Sequence, residues 1–71
     1  MYKLIYDDSY SERLIATRDN RDELLEILSG YLSNMHKCID NCDVYSMSPT
    51  RMVYDFGSWT KFFYIDSYPA K

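Results

Sequence analysis

Glycine, proline, cysteine and histidine are all scarce in this sequence, at two, two, two and one among 71 residues. Each shortage closes off a class of function. Gly30 and Gly57 stand far apart, so there is no glycine-rich loop to cradle a phosphate, and each glycine is expected to serve local structure. Cys38 and Cys42 are too few to staple a small secreted scaffold, which points to a reducing compartment. His36 is the sole histidine available as a base to a nucleophile, and beside Lys37 it reads as a solvated residue at a helix end. Long apolar runs are missing too, and no segment approaches the roughly 20 residues of a membrane helix. The opening run Met1 to Tyr6 is ended by Asp7 and Asp8 too soon for a secretory signal, so the expected location is cytoplasmic, away from membranes.

Clustered positive charge is also lacking. Eight basic residues, from Lys3 to Lys71, are scattered among eleven acids to give a net charge of −3. Nucleic-acid backbones are held by grouped Lys and Arg that displace counterions, so direct nucleic-acid binding is disfavoured. A net charge of −3 is equally poor equipment for mimicking DNA.

What remains is globular and rich in aromatics. Hydrophobic residues make up 46% and charged residues 27%, a balance that excludes disorder, and nothing in the composition divides residues 1–71 into more than one domain. Tyrosine occurs eight times. Its apolar ring and polar tip suit core edges and binding surfaces. A domain of this size buries only roughly 60% of its unfolded surface, so association with another molecule enters the reading early.

Two β-prone runs, Tyr2 to Tyr6 and Arg13 to Thr17, flank the polar stretch Asp7 to Glu12 and predict a hairpin. Tyr2, Leu4 and Tyr6 share one face and Lys3 and Ile5 the other, while Leu14 and Ala16 alternate with Arg13, Ile15 and Thr17. Asn20 followed by Asp22 and Glu23 marks a helix start, with Glu23 placed as in a capping box. Leu24, Leu28, Tyr31, Leu32 and Met35 then recur at helical spacing, which predicts an amphipathic helix running to His36 or Ile39. Val44 to Met47 reads as an additional short strand, and Ser48-Pro49-Thr50 as a turn.

Residues 51–56 and 59–65 flank Gly57-Ser58, a pair suited to a two-residue type II′ turn. That turn pairs Tyr54 with Lys61, Val53 with Phe62 and Met52 with Phe63. Met52, Tyr54, Phe56, Trp59, Phe63 and Ile65 then share one face, and Val53, Phe62 and Tyr64 the other. A single helix covers one face only. The second is expected to need a further layer, and Val53, Phe62 and Tyr64 are therefore candidate partner-binding residues.

The remaining constellations are poor in chemistry. His36, Cys38 and Cys42 form His-x-Cys-x-x-x-Cys, which matches no standard zinc site and reads as a helix end with two small thiols. Asp7 and Asp8 lack a third element to converge on and read as a solvated turn. The letters Asp55-Phe56-Gly57 match the kinase magnesium triplet, but a kinase does not fit this length. No cofactor is implied.

The stretch Asp55 to Ile65, DFGSWTKFFYI, resembles the C-terminal hairpin of small bacteriophage proteins from Gram-positive hosts. The resemblance implies a phage or prophage origin and a role in binding and inhibiting a host or defence protein, as anti-CRISPR proteins do. The expectation is thus a small α+β domain of ββαββ order, with an extra short strand near 44–47, that binds a protein partner and is not an enzyme. Its acids Asp7, Asp8, Glu12, Asp22, Glu23 and Glu26 would form an acidic edge if the first hairpin and the helix start lie together. A homodimer through the apolar sheet face and a small nucleic-acid-binding regulator are the alternatives.

Overall fold

The structure, a computed structural model, describes residues 1–58 and 60–68. Five strands and one helix follow in the order β1 (Tyr2–Asp7), β2 (Glu12–Arg18), α1 (Arg21–Asn34), β3 (Asp43–Ser48), β4 (Arg51–Asp55) and β5 (Phe62–Ser67). A 3₁₀ turn at Ile39–Asn41 links α1 to β3. The fold is the expected small α+β domain, with the short strand near 44–47 realised as β3.

All strand pairs are antiparallel, and the sheet order is β2-β1-β5-β4-β3. The last strand therefore lies at the centre, zipped to β1 from Tyr2↔Ser67 to Asp7↔Phe62. Central strands are buried on both faces and need apolar residues at successive positions. Phe62-Phe63-Tyr64-Ile65 meets that need, with Phe63, Tyr64 and Ile65 all buried.

Helix α1 crosses one face. Asn20, in extended conformation, accepts the Asp22 backbone N–H at 2.8 Å, which satisfies one free donor of the first turn. Leu24, Leu28 and Leu32, spaced four apart on one stripe, are fully buried against Leu4, Tyr54, Phe63 and Ile65. Each contributes about 2 kcal/mol of apolar burial, so this stripe fastens helix to sheet.

The helix ends at Asn34, short of the expected His36 or Ile39. His36 takes a left-handed conformation, φ 60°, and the N–H groups of His36 and Lys37 return to the carbonyls of Ser33 and Leu32 at 3.0 and 2.8 Å. This closing motif satisfies the terminal carbonyls and reverses the chain, so that Ile39 and Cys42 pack back against the core.

Two register expectations are corrected. In β2, Leu4 faces Ala16 while Ile5 faces Leu14, leaving Ile15 as a bulged extra residue. Leu14 thereby moves to the face away from the helix, and both Ile15 and Ala16 pack towards it. The β4–β5 pairs are Tyr54↔Phe63, Val53↔Tyr64, Met52↔Ile65 and Arg51↔Asp66, two positions beyond the expected pairing.

The connection between β4 and β5 is accordingly longer than two residues. Asp55 Oδ1 accepts the Gly57 N–H at 2.9 Å, Gly57 sits at φ 96°, and Ser58 Oγ accepts the Lys61 N–H at 3.1 Å. These side chains organise a wider turn in place of the tight one. The expected Phe56–Trp59 pairing falls on a residue outside the described set. A slip of two leaves every side chain on its original face, so the face assignments of Met52, Tyr54, Phe63, Ile65, Val53, Phe62 and Tyr64 stand.

Candidate functional site

The face of the sheet opposite α1 is built from three cross-strand rows. The middle row, Leu14–Ile5–Tyr64–Val53–Tyr45, runs through all five strands. Its centre is buried although no helix covers it: Val53 is 0%, Tyr64 5% and Ile5 9% exposed.

Long side chains from the flanking rows supply the cover. The Arg51 guanidinium lies over the Tyr64 ring at 4.5 Å and grips Asp66 through two bonds of 2.7 Å, Nε to Oδ1 and Nη2 to Oδ2. It also reaches Glu12 on the far strand at 3.2 Å. Tyr64 donates its hydroxyl proton to Asp7 Oδ2 at 2.7 Å, and Lys3 sits 4.6 Å over the Tyr68 ring. Stacked, bidentate arginine is suited to such a lid, since its planar fork seals an apolar row while its charge stays paired.

The electrostatics follow from this sealing. Burial, reinforced by the Asp7 hydrogen bond, pushes the Tyr64 hydroxyl up to about 12. The hydrogen bonds it donates to Asp66, and then to Glu12, hold Arg51 protonated even beyond its ordinary range. Among the described residues no buried side-chain nitrogen or oxygen lacks a partner.

The residues proposed from sequence are therefore distributed as follows. Val53 and Tyr64 lie inside the sealed row, and Phe62 is partly buried beside them. The six acids fall into two separated groups, because the loop ending in Glu12 and the helix start after Arg18 lie at opposite ends of β2, about 20 Å apart. Asp22, Glu23 and Glu26 are exposed on the helix. Asp8 organises the hairpin loop, where backbone N–H groups of Ser11 and Tyr10 hold its carboxyl below the usual range.

Asp7 and Glu12 belong instead to a third row with Asp43 and Asp55, which were not among the candidate binding acids. Glu12 faces Asp7, Asp7 faces Phe62, and Asp55 faces Asp43. Continuing the β4–β5 register one position brings Asp55 level with Phe62. Four acidic residues thus share one row at this end of the face with Phe62. A shallow cavity of about 400 Å³ opens there, lined by Asp55, Gly57, Ser58 and Phe62.

The row ends on β3, which is an edge strand of unusual character. Val44, Tyr45 and Met47 are 47%, 47% and 55% exposed, and no Lys or Arg occurs between Cys38 and Thr50. The opposite edge, β2, carries Glu12, Arg13 and Arg18 and is distorted by its bulge, which are common ways of discouraging strand pairing. β3 has a register shift only near Ser46–Ser48, and among the described residues no strand pairs with its outer side. The sequence signal was available in Val44-Tyr45-Ser46-Met47, an uncharged β-prone run whose exposure depends on sheet order.

The thiol region adds little chemistry. Cys38 is exposed, while Cys42 is partly buried, donates weakly to the Cys38 carbonyl at 3.7 Å, and has its thiol pushed up by burial. Among the described residues no group of three His, Cys, Asp or Glu side chains is placed to share a metal ion. None of the described helices is long and apolar enough to cross a membrane. Comparison with protein-family models, curated proteins and solved structures returns no match.

Proposed function

We propose that the chain is a non-enzymatic, phage-encoded binding protein that modulates or inhibits a host or defence protein. The observation that carries this reading is the edge strand β3, whose exposed run Val44 to Met47 carries no charge and whose first residue, Asp43, belongs to a row of four acids. An unpaired strand edge with exposed Val44, Tyr45 and Met47 is a liability that proteins usually blunt, and keeping it open fits a docking surface. The chemistry-bearing groups nearby support binding over catalysis. Arg51, Asp66, Glu12, Tyr64 and Asp7 are committed to one another as a lid on the sheet. The resemblance of Asp55 to Ile65 to phage hairpins supplies the biological setting.

The test is capture from a lysate of a Gram-positive host on immobilised protein, followed by reconstitution with the purified candidate. One host or defence protein is expected at stoichiometric recovery, with its activity reduced when the chain is added. An anti-CRISPR-like role predicts reduced cleavage by a purified CRISPR nuclease. Recovery of no such protein, or of one whose activity is untouched, counts against the reading.

A further inference from the structure

Building on the reading that the chain is a binding protein, we infer that β3 receives an extended segment of the partner as a sixth strand, and that the residue of that segment facing Asp43 is basic. The backbone supplies the first half of the argument. The outer side of an edge strand offers a row of N–H and C=O groups that a second extended chain satisfies directly. β3 offers six residues, ending where Pro49 begins the turn. Val44 and Tyr45 project to opposite faces, so an added strand finds an apolar neighbour on each side of the sheet.

Charge decides the kind of strand. Asp43 and Asp55 stand directly opposite each other, an arrangement that is unfavourable across a strand pair. The two ion pairs found among the described residues both belong to Arg51, which is turned towards Asp66 and Glu12. Lys or Arg on an added strand opposite Asp43 would supply the cation that Asp43 lacks among the described residues. A second copy of this chain cannot do so through β3, because residues 38–50 contain no basic side chain to present, and its other edge, β2, which carries Arg13 and Arg18, is distorted by its bulge. A partner strand bearing Lys or Arg is therefore the occupant that matches the edge.

The experiment uses the isotopically labelled full chain and three acetylated eight-residue peptides of alternating valine and threonine. The peptides carry lysine, glutamine or glutamate at one central position. The lysine peptide is expected to shift amide signals of Asp43 to Ser48, to bind at least three-fold more tightly than the glutamine peptide at low salt, and to bind ten-fold more tightly than the glutamate peptide. Raising salt to roughly 0.5 M should compress these differences, since exposed charges are then screened. Asp43→Lys removes the acid pair without touching the core and should reverse the preference while leaving thermal stability unchanged or raised. Tyr45→Lys, which blocks the edge with charge, should abolish the shifts.

The inference is overturned if the peptides bind equally, or if β3 signals stay unmoved up to millimolar peptide. It is likewise overturned if those signals shift with protein concentration alone, which would identify a second copy as the occupant. A host protein captured equally well by wild type and Tyr45→Lys would sink strand addition and leave the broader binding reading standing.

Discussion

Truncating Arg51 to alanine tests whether the open face of the sheet is held by a side-chain lid. The bidentate contact to Asp66 is made at 2.7 Å in both arms, with the two side chains 22% and 9% exposed. Removing one partner of a buried ion pair costs about 3–5 kcal/mol, because the other charge is left buried and alone. Here the arginine is partly solvated and water can follow into its place, so the expected cost is about 2–3 kcal/mol.

A domain of this length has only roughly 4–10 kcal/mol of net stability, so the loss should lower the melting temperature by roughly 10–20 °C. Urea unfolding followed by far-ultraviolet circular dichroism measures it. Glu12→Ala, at the exposed end of the same arginine, should stay within about 0.5 kcal/mol of wild type. Adding Asp66→Asn to Arg51→Ala should restore about 1 kcal/mol, since an unpaired neutral amide is cheaper to bury than an unpaired charge. If Arg51→Ala lies within about 0.5 kcal/mol of wild type, or Asp66→Asn gives no rescue, the lid is not what stabilises this face.

Three further outcomes follow from the same geometry. Tyr64 should ionise near pH 12 and Tyr54 also above its ordinary range, both chiefly through burial, so absorbance at alkaline pH should show a late component that Tyr64→Phe diminishes. Because the fold favours the neutral hydroxyl, this stabilisation is fully present below the ordinary tyrosine value of about 10 and is lost as the pH rises towards 12. Leu28→Ala, at a fully buried position on the helix stripe, should cost about 2–5 kcal/mol in denaturant unfolding. His36→Gly should raise stability by about 0.5–1 kcal/mol, because glycine holds the left-handed closing position without strain, and a loss on the same assay would refute that account.

The elements governed by local chemistry were legible in the sequence. Asn20 with its following acids marked the helix start, and the Leu24, Leu28 and Leu32 stripe marked its buried side. The faces of β4 and β5 were also legible, since alternation fixes them whatever the length of the turn. Non-local pairings were not. The turn after Asp55 looked like a two-residue connection because Gly57-Ser58 suits one, but side-chain acceptors at Asp55 and Ser58 widen it and slide the register by two. Ile15 gave no sign of its bulge, which appears only in the pairing of β2 with β1. The lid joins residues 15, 39 and 57 positions apart, separations at which no spacing rule operates.

The lid also relocates the question of function. Apolar side chains on both faces of a hairpin, with one helix to cover them, led to the expectation of a partner seated on Val53, Phe62 and Tyr64. Arg51 meets most of that demand from within the chain: its stem and guanidinium cover Tyr64, and its charge balances Asp66 and Glu12. Having been used there, the same arginine pairs with neither Asp43 nor Asp55, which stand opposite each other in the β3–β4 register with Asp55 turned to the Gly57 N–H. Closure of the middle of the sheet and imbalance at its edge are thus two results of one residue's position. A partner gains little by displacing a paired arginine from a filled row, whereas at β3 it meets unpaired backbone, exposed Val44 and Tyr45, and an unbalanced charge. The docking route we propose therefore runs along the edge of the sheet.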